Sequence, residues 1–422
     1  MSAALVGVVV FLKRQSLVGE ALSHASYPGV ILGVILAGAF DVDEGQELSM
    51  SLLIMSGALV TSLAGLWSIG FLERRMKVRS DSALCFVLAV FFGVGLTLAS
   101  HVQFTHSSLY RQAQVYLYGQ AATMTDVHMM IYGLLSVVIL AVIFLFYKEI
   151  QAIAFDSEYA RSIGINKKLV DSTVFFLVVV AVVIGIRSVG VVLMSAMLIA
   201  PAAAARQFSN NLYKIFTMAA LFGALSGFFG NYYSVQASKQ LAVYYPGERL
   251  TLPTGPMIVV VASLLCLLSL LFAPGRGIVL RFFRVIRFRY RCMCENLLKA
   301  IWRHGKDREI SFEELARHQS ASPFYLRFVL YRLSRQGWVS RTPMGYKLTS
   351  EGVQWASRIV RLHRLWEVYL VDYLGVGAER VHRSAEEMEH IITPELEAEL
   401  MVILNNPKVD PHHQPIPQRE EG

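Results

Sequence analysis

Two groups of histidine and glutamate side chains have the spacing of metal ligands, and the first lies in the apolar stretch LVGEALSHASYPGVILGVILA at 17–37. Glu20 and His24 are four residues apart, so a helix places both on one face, one turn from each other. An ionisable residue in a membrane helix is costly and usually faces a polar pathway or a partner. A carboxylate oxygen and an imidazole nitrogen together suit one divalent ion. Alternatively, His24 only packs in the core and Glu20 lies at the level of the lipid headgroups.

The second group lies near the C-terminus, in the segments RLHRLWEVYLVDYLGV and VHRSAEEMEHI. Its potential ligands are His363, Glu367, His382, Glu386, Glu389 and His390. Nitrogen and carboxylate ligands without a thiolate suit manganese, ferrous iron or zinc. Helical spacing predicts that Glu386, Glu389 and His390 share one face. The alternative is a helix that is rich in these residues only because it is solvated.

Composition divides the chain into two classes of protein. Of its 422 residues, 55% are hydrophobic and 17% are charged, whereas soluble proteins carry about a quarter charged residues. The charge deficit lies before residue 275, and the remainder reads as soluble protein. Apolar runs predict spans at about 25–40, 48–72, 82–100, 126–147, 168–188, 190–207, 212–232 and 254–273. We therefore expect an all-α polytopic membrane domain of about 8–9 transmembrane helices.

The first apolar run, at 2–12, is shorter than the roughly 20 residues that a span needs, so we expect the natural start to lie upstream of Met1. Basic residues cluster at 74–79, at 148–168, at 206–214 and after 275, whereas the loop at 41–44 is acidic. Because cytoplasmic loops carry the excess of Lys and Arg, these clusters predict the orientation. The prediction is a multi-pass membrane protein with a cytoplasmic C-terminal part.

A polar segment, KEIQAIAFDSEYARSIGIN at 148–166, interrupts the apolar runs. It has helical periodicity but too few apolar residues to span a membrane. An amphipathic helix between spans is suited to docking a soluble partner. A solvated connector fits the pattern equally well.

Five ordered motifs carry a resemblance over residues 1–275: SLVGEALSHASYPGV, VYLYGQ, AFDSEYARSIGI, VGVVLMSAMLIAPAAAAR and LPTGP. The chain resembles the permease subunits of ATP-binding-cassette importers for zinc, manganese and iron. The resemblance implies that Glu20 and His24 line the transport path, although the family more often has Asp at the first position. It also implies a coupling helix at 156–164, where the matching residues are Asp156, Glu158, Ala160 and Gly164.

The same resemblance implies a location in the bacterial inner (cytoplasmic) membrane. It also implies three partners: a separate ATPase subunit, an extracytoplasmic metal-binding protein and a second permease subunit. The 422 residues contain no G-x-x-x-x-G-K-[ST] motif, so we expect a transport subunit that is not itself an enzyme.

The segment RGIVLRFFRVIRFRYR, within the predicted linker 276–294, alternates arginines with large apolar residues. Arg281, Arg284, Arg287 and Arg291 recur at helical spacing. A basic amphipathic helix directly after a span is suited to the anionic inner leaflet. Nucleic-acid binding is the rival interpretation.

Residues 295–352 have the pattern of a winged helix: a helix at 295–303, a second at 311–319, a third at 322–338 and two short strands. Proline at position 323 suits the first turn of a recognition helix. We expect DNA contacts from Ser322, Arg327, Arg332 and Arg335, the arginines binding phosphates. A winged helix that binds only protein would show the same pattern.

The C-terminal part, from 295 to about 417, resembles the metal-dependent repressors of the diphtheria-toxin-repressor class. The resemblance implies a metal-binding and dimerisation domain at 353–422, with His363, Glu367 and His382 as one metal site. Glu386, Glu389 and His390 would form the other site, and a carboxylate at 386 is the manganese-type choice. Asn296 stands where the first helix of the class normally adds a ligand.

The combined prediction is a permease subunit for ATP-driven import of a divalent metal ion, Fe²⁺ or Mn²⁺ and less favourably Zn²⁺, fused to a metal-responsive DNA-binding repressor. Two alternatives remain open. One is a membrane-embedded metal sensor without transport activity. The other is a secondary transporter, which the coupling-helix motif disfavours.

Overall fold

The computed structural model describes residues 1–40, 47–244, 252–304, 308–317, 319 and 321–418. The predicted acidic loop at 41–44 lies outside these residues. The chain forms two compact units, Met1–Leu280 and Arg281–Gly422.

The first unit is built of helices, as its composition predicts. They are α1 (Ser2–Leu12), α2 (Ser16–Ala39), α3 (Glu47–Arg74), α4 (Ser80–Thr105), α5 (Ser107–Tyr118), α6 (Asp126–Leu145), α7 (Tyr147–Phe155), α8 (Ser157–Ser162), α9 (Lys167–Gly185), α10 (Met194–Phe208), α11 (Leu212–Tyr244) and α12 (Thr254–Phe272). Within the described residues, seven helices are long and apolar enough to cross a membrane: α2, α3, α4, α6, α9, α11 and α12.

The stretch predicted as one span at 190–207 differs in the structure. Residues 186–193 form turns, and α10 begins only at Met194 and is 15 residues long. The residues are apolar enough for a span, but Gly190 has a φ of +99°, which a helix does not allow. A non-helical segment of this kind within a membrane bundle is tolerated only where protein or a polar cavity surrounds it.

Helix α2 lies in the core of the first unit and packs against α3, α4, α9 and α10. Its large side chains at Leu22, Tyr27 and Ile31 are fully buried. A helix that is apolar all round and mostly buried is the central element of a bundle. Glu20 and His24 are therefore carried by an interior helix, where polar side chains are surrounded by other helices.

The segment predicted as one helix at 148–166 forms two helices, α7 and α8, separated at Asp156. Asp156 has an extended backbone, and its carboxylate accepts hydrogen bonds from the N–H groups of Glu158 (2.9 Å) and Tyr159 (3.1 Å). It is thus the N-cap of α8, a position that favours aspartate.

The second unit has the element order of the predicted winged helix. It comprises α13 (Ile278–Arg303) from Arg281 onward, α14 (Phe312–Arg317), α15 (Pro323–Arg335), β1 (Val339–Arg341), β2 (Tyr346–Leu348), α16 (Ser350–Asp372), α17 (Val381–Met388) and α18 (Pro394–Ile403). The strands are antiparallel, with Val339 opposite Leu348. Leu297, Leu326 and Leu330 lie in its core, so α13 and α15, the predicted recognition helix, share one apolar cluster.

From Ile278 onward, the predicted linker at 276–294 and the predicted helix at 295–303 form one continuous helix, α13. Its first turns expose Phe282 (61%) and Phe283 (62%) between the arginines. Exposed aromatic side chains interleaved with basic ones are the pattern of an interfacial helix.

Candidate metal sites

The first candidate site lies on α2, where Glu20 is half-buried and His24 is 7% exposed. The His24 ring meets the ring of Phe92 edge-on, with 4.5 Å between centroids. Among the described residues, none hydrogen-bonds to the buried Nδ1 of His24. A buried polar atom without a partner is costly unless a ligand or water satisfies it. Nδ1 is therefore available to a cation that reaches this face of α2.

The non-helical segment after α9 packs directly on this part of α2. The Ser23 hydroxyl donates to the carbonyl of Val191, and the Val191 N–H donates to the carbonyl of Tyr116 (3.0 Å). The Gln120 N–H donates to the carbonyl of Arg187 (2.9 Å). Backbone groups that a break would leave unpaired are thus satisfied by neighbouring segments, as membrane interiors require.

Three of the sequence motifs meet at this break. VYLYGQ supplies Gly119, VGVVLMSAM supplies Gly190, and LPTGP supplies Thr254, whose hydroxyl accepts from the Ala121 N–H (2.6 Å). A Cβ on Gly255 would lie 3.0 Å from the carbonyl carbon of Val189. The motifs are therefore needed for close backbone crossings beside the Glu20/His24 face.

The basic loops converge on one end of the bundle. A cavity of about 810 Å³ is lined by Arg14, Arg206 and Arg276 together with Phe155. A second one brings Arg75 and Lys168 together. These loops are distant in sequence, so their common location agrees with a single membrane face that carries the positive charge.

The four predicted coupling residues have different environments. Asp156 caps α8, Glu158 is exposed, Ala160 is fully buried, and Gly164 has a φ of +88° just beyond the helix. The exposed apolar side chains of the segment are Phe155 (74%), Tyr159 (61%) and Ile163 (54%). The segment therefore presents an apolar edge that the described residues leave uncovered.

The second candidate site lies in the second unit, where α16 presents His363 and Glu367 one turn apart and α17 presents His382. The Nε2 atom of His363 lies 3.1 Å from Glu367 Oε1, and His382 Nδ1 lies 2.5 Å from the same oxygen. One donor atom from each of the three residues lies within 4.8 Å of the others. In the described part of the chain, this is the only group of three potential ligands with that spacing. Two imidazoles and a carboxylate fit a divalent transition metal.

Hydrogen bonds among these side chains shift the pKa values of His363 and Glu367 in opposite directions. Burial, the largest effect, lowers the pKa of His363, but its hydrogen bonds to Glu367 and Glu389 outweigh burial and leave the pKa raised. Burial likewise raises the pKa of Glu367, yet His363 and His382 outweigh it and leave the pKa lowered. The site is a carboxylate between two imidazoles, and because such ligands bind a metal in their deprotonated forms, a metal here competes with protons.

The predicted second group is not brought together as predicted. Glu389 is fully buried between Lys299 and His363, with Nζ of Lys299 2.5 Å from Oε1 and Nδ1 of His363 2.6 Å from Oε2. His390 Nδ1 lies 2.6 Å from Oε2 of Glu295. Glu386, on α17, has an exposed side chain.

Sequence reasoning missed Glu295, Lys299 and His412. Asn296 was the residue expected from the first helix, but its neighbour Glu295 makes the contact to His390. The ring of His412 stacks on that of His382, with 4.6 Å between centroids. A lysine or glutamate on an amphipathic helix gives no signal of a partner about 90 residues away.

The residues predicted to contact DNA lie on α15. The hydroxyl of Ser322 accepts from the Tyr325 N–H (3.4 Å) and caps the helix. Arg327, Arg332 and Arg335 are exposed, and the guanidinium of Arg327 lies 5.0 Å from the ring centre of Phe312. Three exposed arginines on one helix provide the charge that phosphate contacts need.

Residues 1–273 match the ABC 3 transport family. The chain belongs to this family. Residues 349–418 match a second family, the metal binding and dimerisation domain of the iron dependent repressor. Both resemblances predicted from the motifs are thus confirmed, as is an all-α membrane domain followed by a repressor-type domain.

Similar proteins cover both parts of this ABC 3 family member. A probable metal transport system membrane protein of Chlamydia trachomatis serovar D is 36% identical over 426 residues, which is 99% of this chain and 94% of that protein. The manganese transport system membrane protein MntC of Bacillus subtilis is 31% identical and covers 89% of this chain and 82% of its own length. The structure of PsaBC from Streptococcus pneumoniae in complex with Fab has a TM-score of 0.54 at 26% identity, covering 68% of this chain and 90% of that one.

Proposed function

We propose that the chain is the permease subunit of an ATP-driven importer of divalent metal ions, with manganese as the first candidate. The observation that carries the proposal is the interior helix α2, which places the half-buried Glu20 one turn from His24, beside the non-helical segment 186–193. The Nδ1 atom of His24 has no hydrogen-bond partner among the described residues. A dehydrated cation needs such oxygen and nitrogen ligands inside the membrane. The manganese transport system relative supports the choice of ion.

ATP hydrolysis would come from a separate ATPase docked on α7 and α8. The exposed apolar edge of Phe155, Tyr159 and Ile163 supports this partner, because an apolar patch at a membrane protein's soluble face marks a protein contact. The convergence of basic loops near this edge supports its placement on the cytoplasmic side. An extracytoplasmic metal-binding protein and a second permease subunit complete the importer.

The second unit would act as a metal-responsive repressor in the cytoplasm. His363, Glu367 and His382 would hold a divalent ion, and α15 would contact DNA through Ser322, Arg327, Arg332 and Arg335. When bound, the ion supplies the positive charge that draws α16 and α17 together through these ligands. The arrangement couples the cytoplasmic metal level to expression of the uptake genes by shifting the population of DNA-competent chains.

Uptake measurements test the permease proposal. His24→Ala and Glu20→Ala should each reduce accumulation of ⁵⁴Mn at least about tenfold in cells that depend on this chain, its ATPase and its metal-binding protein, because each removes a ligand. Both variants should still insert in the membrane and co-purify with the ATPase. His101→Ala is the matched control, since it removes an exposed histidine from the end of α4.

Uptake at the parent rate in both ligand variants would contradict the transport role of the α2 pair. If the parent chain itself supports no uptake while its second unit still binds metal, the chain is a membrane-embedded sensor and not a permease.

A further inference from the structure

Glu389 has no free oxygen for a second metal ion. Its side chain is 0% exposed, Oε1 lies 2.5 Å from the Lys299 ammonium, and Oε2 lies 2.6 Å from Nδ1 of His363. Both Lys299 and His363 are also buried, at 6% and 5% side-chain exposure. Each oxygen of this buried carboxylate therefore already contacts a buried side chain.

The other two residues expected beside Glu389 do not converge on it as a site. Glu386 is exposed on α17. The Nδ1 atom of His390 contacts Glu295. Its Nε2 atom lies 3.7 Å from Oε1 of Glu389, the same oxygen that the ammonium of Lys299 contacts. A divalent ion here would lie against a buried ammonium, and like charges at close range in a low-dielectric interior repel strongly. The residues present do not fit a second ion.

The contact of Glu389 with His363 has a different use. A metal-binding histidine almost always donates its other ring N–H to a carboxylate, which fixes the tautomer and the ring orientation. Glu389 meets Nδ1 of His363, while Nε2 faces Glu367 and the group with His382. Glu389 is placed to orient the ligand of the first site.

We propose that the second unit binds one divalent ion, that Glu389 is a positioning residue for His363, and that Lys299 is a built-in cation in place of a second ion. The inference rests on the proposed metal-responsive function of this unit. Lys299 and Glu295 belong to α13, so the salt bridge of Lys299 to Glu389 and the hydrogen bond between Glu295 and His390 connect this helix to the metal site without a second ion. One ion then suffices for the response.

The test counts bound Mn²⁺ on the full-length chain in detergent, by equilibrium dialysis followed by metal analysis. Every variant carries Glu20→Ala and His24→Ala, so that ions on the transport path are not counted. The expected result is one ion per chain, lost on His363→Ala. Glu389→Gln should keep one ion but weaken its affinity roughly 10- to 100-fold, because the histidine loses its orienting partner.

Glu389→Gln leaves the Lys299 ammonium buried without its ion pair, and such a loss destabilises folds. The double variant Lys299→Met with Glu389→Gln keeps the interior neutral and should show the same stoichiometry and the same weakening. Circular dichroism of each variant verifies that it is folded.

Lys299→Glu gives the converse result. It replaces the ammonium by a carboxylate beside Glu389, Glu295 and His390, so one further ion should bind. Lys408→Glu makes the same charge change at an exposed position of the second unit and should leave the count at one. No gain with Lys299→Glu would overturn the role of Lys299 as the excluding cation.

Two ions on the parent chain, falling to one of unchanged affinity with Glu389→Gln, would overturn the inference and leave the metal-responsive function standing. No ion that depends on His363 would overturn that function, and the inference with it.

Discussion

Gly119, in the motif VYLYGQ, lies where the backbone contacts the non-helical segment 186–193, which packs on α2. Its φ is +76°, and a Cβ at this position would lie 2.6 Å from the amide nitrogen of Gly190. An L-residue is strained in that conformation, and here the added carbon would also meet backbone that cannot rotate away. The crossing beside Glu20 and His24 therefore depends on the absence of one methyl group.

Gly119→Ala should lower the free energy of unfolding by roughly 2–5 kcal/mol, the sum of backbone strain and overpacking. The thermal stability of the purified chain in detergent, followed by size-exclusion chromatography, measures the loss. Gly133→Ala is the matched control, because its Cβ would meet nothing within 4 Å in α6. Equal stability of the two variants would show that the crossing is not constrained.

At this scale, local spacing predicts only part of each site. Glu20 with His24 and His363 with Glu367 follow from the helical period, since four residues make about one turn. The contacts of Lys299 to Glu389 and of Glu295 to His390 depend on packing between elements 90 and 95 residues apart. The sequence offers no periodic signal for such pairs. It therefore predicts a second metal site around Glu389, where the structure places the ammonium of Lys299.

The elements were predicted where composition and period agree, and missed where they conflict. The order of amphipathic segments in the second unit predicts a winged helix, because the apolar face of each segment must pack against another segment. The apolar run at 190–207 looks like a span, yet residues 186–193 are not helical. Their structure is decided by hydrogen bonds to Tyr116 and Ser23 and by a glycine with positive φ, none of which alters hydropathy.

The apolar edge formed by α7 and α8 is exposed and is the proposed docking surface for the ATPase. Tyr159→Ala and Phe155→Ala should each weaken association with the ATPase about 10- to 30-fold, since truncating a central aromatic residue of an interface costs about 2 kcal/mol. The amount of ATPase that co-purifies with the tagged chain measures the effect.

Two controls separate docking from folding. Asp156→Ser retains an N-cap for α8 and leaves the apolar edge in place, so association should persist. Phe104→Ala removes an aromatic that is 85% exposed in the last turn of α4, away from the basic end where α4 begins. The docking edge would be refuted if Tyr159→Ala and Phe155→Ala retained the ATPase while Asp156→Ser and Phe104→Ala lost it.

For the whole molecule, the change of composition near residue 275 predicts two units, because a membrane bundle and a soluble domain bury opposite kinds of surface. The structure divides the chain at Leu280, and the family matches fall on either side of it, at 1–273 and 349–418. A DNA-binding unit that is covalently joined to a permease can reach only DNA close to the membrane. As long as the two units stay joined, the proposed repressor is therefore restricted to DNA near the membrane.

The full-length chain in detergent should bind DNA from the region upstream of its own genes when Mn²⁺ is present, and chelation should abolish binding. Phosphate contacts dominate such affinity, so it should fall steeply between low and physiological salt. Arg332→Ala or Arg327→Ala should weaken binding uniformly across sequences and reduce the salt slope by about one. Fluorescence anisotropy at several salt concentrations measures both quantities.

Arg383→Ala removes an arginine that is 93% exposed on α17 and should change neither. If the chain binds with the same slope after either α15 substitution, or equally well with chelator, then α15 is not a metal-controlled DNA contact.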